Sequence, residues 1–235
     1  MDRMVEPQRV AEQYRDESRL ETRRSVWRDS ADGRNPQDTA AAAVRSAHPR
    51  GVLEVGCGTG AFAARMMSDN PAATVIATDR SERFVEMTSA RGVRAQVADV
   101  QQLPFQDGQF DVVVAMWMLY HVPDLHTGLR EIRRVLREGG QLVAVTNGEG
   151  HTAGLRRASG GSPLVTQFST ESGADVLSSH FDVVTQEDIT TRASFESHEH
   201  AVAYLASFDE DLASNLPHFD GPLEDLGATT VFVAR

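Results

Sequence analysis

Apolar residues in this chain fall into two kinds of pattern. Largely apolar runs, many of them β-branched, occupy 52–55, 73–77 and 112–115, and similar segments recur at 93–100, 141–146, 181–189 and 229–234. Short runs bounded by Gly, Pro or Asp predict strands buried on both faces of a largely parallel sheet. Between them apolar positions return at helical spacing, over 61–67, 81–90, 125–137 (Leu125, Leu129, Ile132, Val135, Leu136), 170–179 and 197–208. Ahead of the first strand, Val5, Val10, Tyr14, Leu20, Val26 and Trp27 predict two amphipathic helices within 5–30, and an alanine-rich stretch predicts a third over 37–47. Strand and helix alternate through all 235 residues without an internal repeat, which predicts one doubly wound α/β domain. The glycine-rich stretch 147–167 reads as a mobile connection, part of a lid.

The first strand runs into Gly56-Cys57-Gly58-Thr59-Gly60, and helical composition resumes at Ala61. Strand, glycine turn and helix together let backbone N–H groups approach a ligand closely, because glycine has no Cβ to block it. Gly56, Gly58 and Ala61 satisfy the dinucleotide fingerprint G-x-G-x-x-G/A, so a nicotinamide dinucleotide (NAD) is one reading. Glu54 points elsewhere. A carboxylate just ahead of the glycines repels a pyrophosphate and suits a ligand bearing ammonium or sulfonium charge, as S-adenosylmethionine (SAM) does. Asp79 ends the second strand about twenty residues past the glycines, where a carboxylate accepts hydrogen bonds from ribose hydroxyls of either ligand.

The stretch V-L-E-V-G-C-G-T-G at 52–60 resembles the first motif of class I SAM-dependent methyltransferases, in the small-molecule branch that includes ubiquinone/menaquinone-type enzymes. Three further stretches carry the same resemblance. Asp99 with Gln101-Gln102-Leu103-Pro104-Phe105 is similar to the family's D-x-x-x-L-P-F loop; 110–124, F-D-V-V through H-V-P-D, is similar to its fourth motif; L-R-E-I-R-R-V-L-R-E-G-G at 129–140 is similar to the helix and turn that close its binding half. The likeness is sharp over 50–146 and architectural elsewhere. It implies a Rossmann-like sheet of seven strands with the last antiparallel, a helical N-terminal cap over 1–48, a SAM-binding core over 49–146, and a C-terminal half with a substrate lid over 147–235.

The implied cofactor-binding residues are Tyr14, Glu54, Gly56, Cys57, Gly58, Thr59, Gly60, Asp79, Arg80, Asp99, Val100, Ala115, Met116 and His121. Among them Tyr14 reaches the methionine end, Asp99 meets the adenine amino group, and the Val100 N–H meets a ring nitrogen. His121 and Tyr120 are the catalytic candidates. The family often has two histidines before V-P-D; here Tyr120 replaces the first, so a histidine base rests on His121. The implied activity is methyl transfer from SAM, leaving S-adenosylhomocysteine, to oxygen, nitrogen or carbon of a small natural-product-like or quinone-like acceptor. Met116-Trp117-Met118-Leu119-Tyr120 suits a hydrophobic or aromatic acceptor. Two alternatives stay open: an NAD-dependent oxidoreductase, and a SAM-binding regulatory protein without catalysis.

Charge and composition narrow the partners. A net charge of −11 disfavours a phosphate-tracking surface, and no N/D-P-P-Y/F motif follows the fourth strand, so nucleic acid is not the expected acceptor. Cys57, the single cysteine, excludes an internal disulfide or a cysteine zinc cluster and reads as a small packing residue. All 23 basic residues are arginine, which removes lysine Schiff-base chemistry. His198-Glu199-His200 lacks a third ligand in the pattern and reads as a polar helix face, so no metal is expected. No apolar stretch approaches ~18 residues and the first residues lack a signal core, so a cytoplasmic monomer or homodimer without membrane contact is the expectation.

Overall fold

The computed structural model describes residues 17–235; Tyr14 and the first of the two helices expected within 5–30 lie outside the described residues. Helix α1 (Glu17–Ser25) leads into a two-residue strand, β1 (Trp27–Arg28), and then α2 (Pro36–Ser46). The alternating core follows: β2 (Gly51–Val55), α3 (Ala61–Asp69), β3 (Thr74–Asp79), α4 (Glu82–Ala90), β4 (Arg94–Val97), β5 (Phe110–Met116), a 3-10 turn (Leu119–His121), α5 (Leu125–Val135) and β6 (Leu136–Asn147). The C-terminal part adds α6 (Ala153–Ala158), α7 (Gly173–Ser178), β7 (Val184–Phe195), α8 (His198–Ala206), α9 (Glu210–Asn215) and β8 (Leu223–Ala234).

All eight strands form one sheet, in the order β1-β7-β8-β6-β5-β2-β3-β4. The five strands from β6 to β4 are parallel, and β8 pairs antiparallel with both β6 and β7. The chain moves outward from β2 through β3 to β4, then returns to lay β5 on the other side of β2. That reversal opens a crevice at the carboxyl ends of β2 and β5, where doubly wound sheets bind ligands.

The strands read as apolar runs because both faces are covered. Successive β5 residues alternate between two cores: Val113 and Ala115 meet α5 and α7, while Val112, Val114 and Met116 meet α2 and α3. A third cluster is built on the upper halves of β7 and β8, where Val26 just after α1, Phe195, Tyr204, Leu205 and Leu212 bring the α1–β1 junction, α8 and α9 together as a cap. The outer edge of β7 pairs with β1 only at Arg192 and Ala193. Lower on that edge, Arg34 pairs with Glu187 at 3.2 Å and donates to the Asp188 carbonyl.

The sequence-based expectations are corrected at several boundaries. Val26 and Trp27 do not extend a helix. Val26 is fully buried in the cap, and the indole of Trp27 lies over Gly227, where a Cβ would stand 2.5 Å from the ring. This strand makes the sheet eight-stranded rather than seven-stranded. Residues 138–140 do not cap a helix: α5 gives way directly to β6, and Gly139 takes φ +71° inside the strand. The third strand of the core is confined to four residues, with Asp99 and Val100 in the turn beyond it. The 147–167 connection contains α6, and β7 and β8 extend to twelve residues each because their upper halves carry the cap.

The start of β2 is fixed by a buried carboxylate. Asp111 Oδ2 accepts from the N–H groups of Arg50 and Gly51 at 2.6 and 2.7 Å, and Oδ1 pairs with Arg137 Nε at 2.7 Å. Asp111→Ala leaves two donors unpaired in a buried place and should cost about 3 kcal/mol. Urea unfolding of the variant measures it.

Candidate functional site

Four strand ends supply the site. On β2, the Glu54 side chain is only 1% exposed. The Ala63 N–H in the first turn of α3 donates to its carboxylate, yet Oε2 has no hydrogen-bond partner. Burial, then the charge of Asp79, pushes the carboxyl up to about 8, against the pull of Ala63 and Arg24. A buried acid with one oxygen unanswered is a place prepared for a cation or donor from outside the chain.

The glycine turn wraps this acid with three left-handed residues, each doing something different. A Cβ on Gly56 would touch Met118 at 2.9 Å, and one on Gly60 would come within 2.4 Å of Thr88 Oγ1. At Gly58, φ +53°, a Cβ would meet nothing within 4 Å. Gly56 and Gly60 therefore serve packing, whereas Gly58 borders open space. Cys57 packs its sulfur 3.3 Å from Thr88 Oγ1, and burial pushes its thiol up to about 12, which leaves it an inert packing residue.

Asp79, at the end of β3, holds this turn in place. Its Oδ2 accepts from the Gly58 N–H and its Oδ1 from the Ser81 N–H, both at 2.9 Å. Burial raises its pKa, opposed by those backbone donors. The Arg80 N–H donates to the same carboxylate, and three donors leave it a lone pair for a ligand hydroxyl. The N-cap of α4 is Ser81, whose hydroxyl accepts from Phe84, so Asp79 is not needed there. Asp99 sits beside it: the Ala98 N–H donates to the Asp79 carbonyl, Gln101 caps Asp99 Oδ1 at 2.9 Å, and Arg80 Nε lies 3.7 Å from Oδ2. Val100 and Ala115 bury their side chains in the core, so what they offer a ligand is backbone.

Sequence reasoning missed Arg24. From α1 its Nη1 reaches Thr59 Oγ1 at 3.2 Å, next to Arg91, whose Nε donates to the Thr59 carbonyl at 2.7 Å. Burial and the charge of Arg91 lower the Arg24 pKa, while Glu54 raises it. Nothing in the pattern of α1, with several arginines on a short polar helix, distinguished this one. The α1–β1 segment thus forms a strap, with Arg24 on the glycine turn and Trp27 on the far side over β8.

Beyond β5 the backbone turns sharply at Trp117, which holds φ +51°. Its indole N–H donates to Asn147 Oδ1 at 2.9 Å, linking the ends of β5 and β6. Tyr120 and His121 follow on the 3-10 turn with their rings 4.4 Å apart, under a loop anchored by Gln167 Nε2 on the Val122 carbonyl at 2.6 Å. His198 and His200 belong to the cap instead: His198 packs against His218 and Phe219, and His200 against Phe195. Their helix face is thus packed rather than free. Among the described residues no group of three His, Cys, Asp or Glu side chains could hold a metal.

The donor set fits a cationic nucleoside: an unanswered buried acid, an open glycine, and acids at two consecutive strand ends. Comparison with known proteins agrees over the same stretch. Residues 53–144 match the family described as methyltransferase domain. The 27-O-demethylrifamycin SV methyltransferase of Amycolatopsis mediterranei is 39% identical over 100 residues, 39% of this chain and 36% of that protein. The ubiquinone/menaquinone biosynthesis C-methyltransferase of Desulfotalea psychrophila is 37% identical over 98 residues, 40% of each chain. The chain thus spans two fifths or less of the length of these two relatives. A SAM-dependent methyltransferase structure from Thermotoga maritima shares the fold with a TM-score of 0.54 at 22% identity, over 84% of this chain and 88% of that one. Over residues 53–144 this chain is similar to the methyltransferase domain family, and its sheet is Rossmann-like.

Proposed function

We propose that the protein is a SAM-dependent methyltransferase that methylates oxygen, nitrogen or carbon of a small molecule. The observation that carries this reading is Glu54 Oε2, buried and without a partner beside the open glycine. A dinucleotide would bring a pyrophosphate against that carboxylate, so the NAD reading loses support. When bound, SAM supplies a methyl group made electrophilic by the sulfonium. The chain's part is to hold and align. Glu54 takes the ligand's ammonium, Asp79 its ribose hydroxyls, and Asp99 with the Val100 backbone its adenine, while Arg24 closes the strap over the turn. Reaction rate then depends on lining up the acceptor with the S–CH3 bond. The relatives' names suggest an acceptor resembling a rifamycin or a ubiquinone/menaquinone-type quinone. No helix among the described residues is long and apolar enough to cross a membrane, and we place the enzyme in the cytoplasm as a monomer or homodimer without a nucleic-acid partner.

Calorimetric titration with S-adenosylhomocysteine, with NAD as control, tests the reading. Binding of the former alone is expected. Binding of NAD alone would reverse the assignment. Asp79→Ala should weaken S-adenosylhomocysteine by about 2–3 kcal/mol through lost ribose hydrogen bonds. Wild-type affinity in that variant, shown to be folded by its melting curve, would remove Asp79 from the ribose.

A further inference from the structure

Two polar side chains at the end of β6 are fixed by their neighbours and left with free valences. The indole of Trp117 can only donate, so the Asn147 atom 2.9 Å from it must be the amide oxygen. Thr229 Oγ1 donates to the same oxygen at 3.3 Å. The Asn147 amide is thereby locked with its NH2 turned away from both. His151 is locked in the opposite sense. Its Nδ1 lies 3.2 Å from the Ala228 carbonyl, which can only accept, so Nδ1 carries the hydrogen and Nε2 keeps its lone pair. Burial pushes this imidazole down to about 4, which keeps it neutral near pH 7. Among the described residues the buried side-chain polar atoms without a partner are Glu54 Oε2 and His198 Nδ1; the Asn147 NH2 and His151 Nε2 are not among them and belong to half-buried residues with accessible surface.

Both groups belong to one face of the sheet. Asn147 pairs directly with Thr229, which puts their side chains on the same side, and Gly227 lies two residues along on that side. Trp27 covers Gly227, and its ring stands 4.6 Å from His151. The Ala228 carbonyl accepts from both the Gly148 N–H and His151 Nδ1, which holds the imidazole beside the end of β6. Thr152, the next residue, is buried and held at φ +51°. Strain of that kind is kept where the surroundings over-determine a residue's place. Trp117 at the β5 end, Asn147 at the β6 end, and Trp27 with His151 over β8 thus form a row of polar and aromatic groups that begins one strand over from the glycine turn.

We propose that Asn147 and His151 grip the reacting group of the methyl acceptor, and that this group is a hydroxyl. The proposal rests on the methyltransferase reading above. Asn147 offers a donor, His151 an acceptor, and the methyl group an electrophile. A hydroxyl oxygen meets all three at once: one lone pair accepts from Asn147, the second attacks carbon, and its hydrogen points to His151 Nε2. A neutral amine has a single lone pair, which cannot both accept from Asn147 and attack. As the new O–CH3 bond forms, the C–S bond breaks with its electron pair left on sulfur, and the hydroxyl proton passes to His151 Nε2 and on to solvent. An oxygen that has gained a methyl while keeping its proton is far more acidic than an imidazolium, so a weakly basic histidine suffices.

The test uses the full chain loaded with S-adenosylhomocysteine, with 15N-labelled imidazoles and the matched probes 1-naphthol and 1-naphthylamine. His151→Ala identifies the His151 resonance by its disappearance. 1-Naphthol is expected to shift the His151 Nε2 signal and 1-naphthylamine to leave it in place. Asn147→Ala should weaken the naphthol effect about tenfold while leaving S-adenosylhomocysteine affinity within about twofold. With labelled SAM, label should enter the naphthyl ether, and His151→Ala should lower kcat by roughly 10²–10⁴ with KM for SAM unchanged. Naphthol that leaves His151 unmoved, or label that enters the amine at equal rate in His151→Ala, overturns the proposal. Failure of S-adenosylhomocysteine to bind at all would overturn the nucleoside reading beneath it and, with it, this one.

Discussion

Between pH 6 and pH 8, the affinity for S-adenosylhomocysteine should rise roughly fiftyfold. The cause is Glu54, whose carboxyl is pushed up to about 8 in the free protein. At pH 6 nearly all of it is protonated and offers the ligand's ammonium no charge. Binding must then expel a proton, and the affinity climbs about tenfold per pH unit until Glu54 ionises unaided. Calorimetry in buffers of different ionisation enthalpy at pH 6.5 should record release of close to one proton. Without ligand the sign is reversed. The folded pKa lies above the unfolded one, so the stabilising contribution is complete below about pH 4.5 and is lost as pH rises through about 8. Glu54→Gln should flatten both curves. A variant that keeps the wild-type slope in binding would move the proton to another group. Asp79, raised by its own burial, faces Glu54 closely enough to be the alternative, and Asp79→Asn separates the two.

The second large effect divides the glycines. Gly60→Ala should destabilise the protein by about 3 kcal/mol. The left-handed φ of +73° costs any L side chain roughly 1–2 kcal/mol, and the new methyl group would run into the Thr88 backbone at 2.7 Å. Gly58→Ala pays only the first of these penalties, because its Cβ meets no protein atom. Its melting temperature should fall by a few degrees, while S-adenosylhomocysteine affinity drops ten- to a hundredfold as the methyl group enters the ligand's space. Equal losses of stability in both variants, with binding preserved in Gly58→Ala, would place the ligand elsewhere.

Much of this architecture was legible because parallel strands leave a coarse signature. The runs ending at Glu54–Val55, at Asp79 and at Ala115–Met116 had to be buried on both faces, and their carboxyl ends had to converge. What resisted reading depends on partners far away in sequence. Val26 and Trp27 fit a helical spacing well; the strand that begins at Trp27 exists only because β7, 166 positions later in the pairing of Trp27 with Ala193, reaches up to meet it. The twelve-residue hairpin of β7 and β8 hides for a related reason. Its upper half faces the cap on one side and solvent on the other, so the apolar run fades into alternation. Arg24 and Asn147 carried no local mark at all. An arginine among arginines and an asparagine after a strand acquire meaning from Thr59 and Trp117, residues 35 and 30 positions distant.

The edge of β7 has a consequence for how copies of this protein meet. A bare strand edge invites another strand to add to it, and self-pairing at β7 is the obvious route to aggregation. Here the exposed stretch carries Glu187 and Asp188 side by side, with Arg34 already donating to the Asp188 carbonyl. Two such edges brought together antiparallel would bring carboxylates of the two copies close on each face of the sheet and displace both arginines. The β7 edge of the sheet is therefore protected against growth by a short acidic pair rather than by closure of the barrel kind.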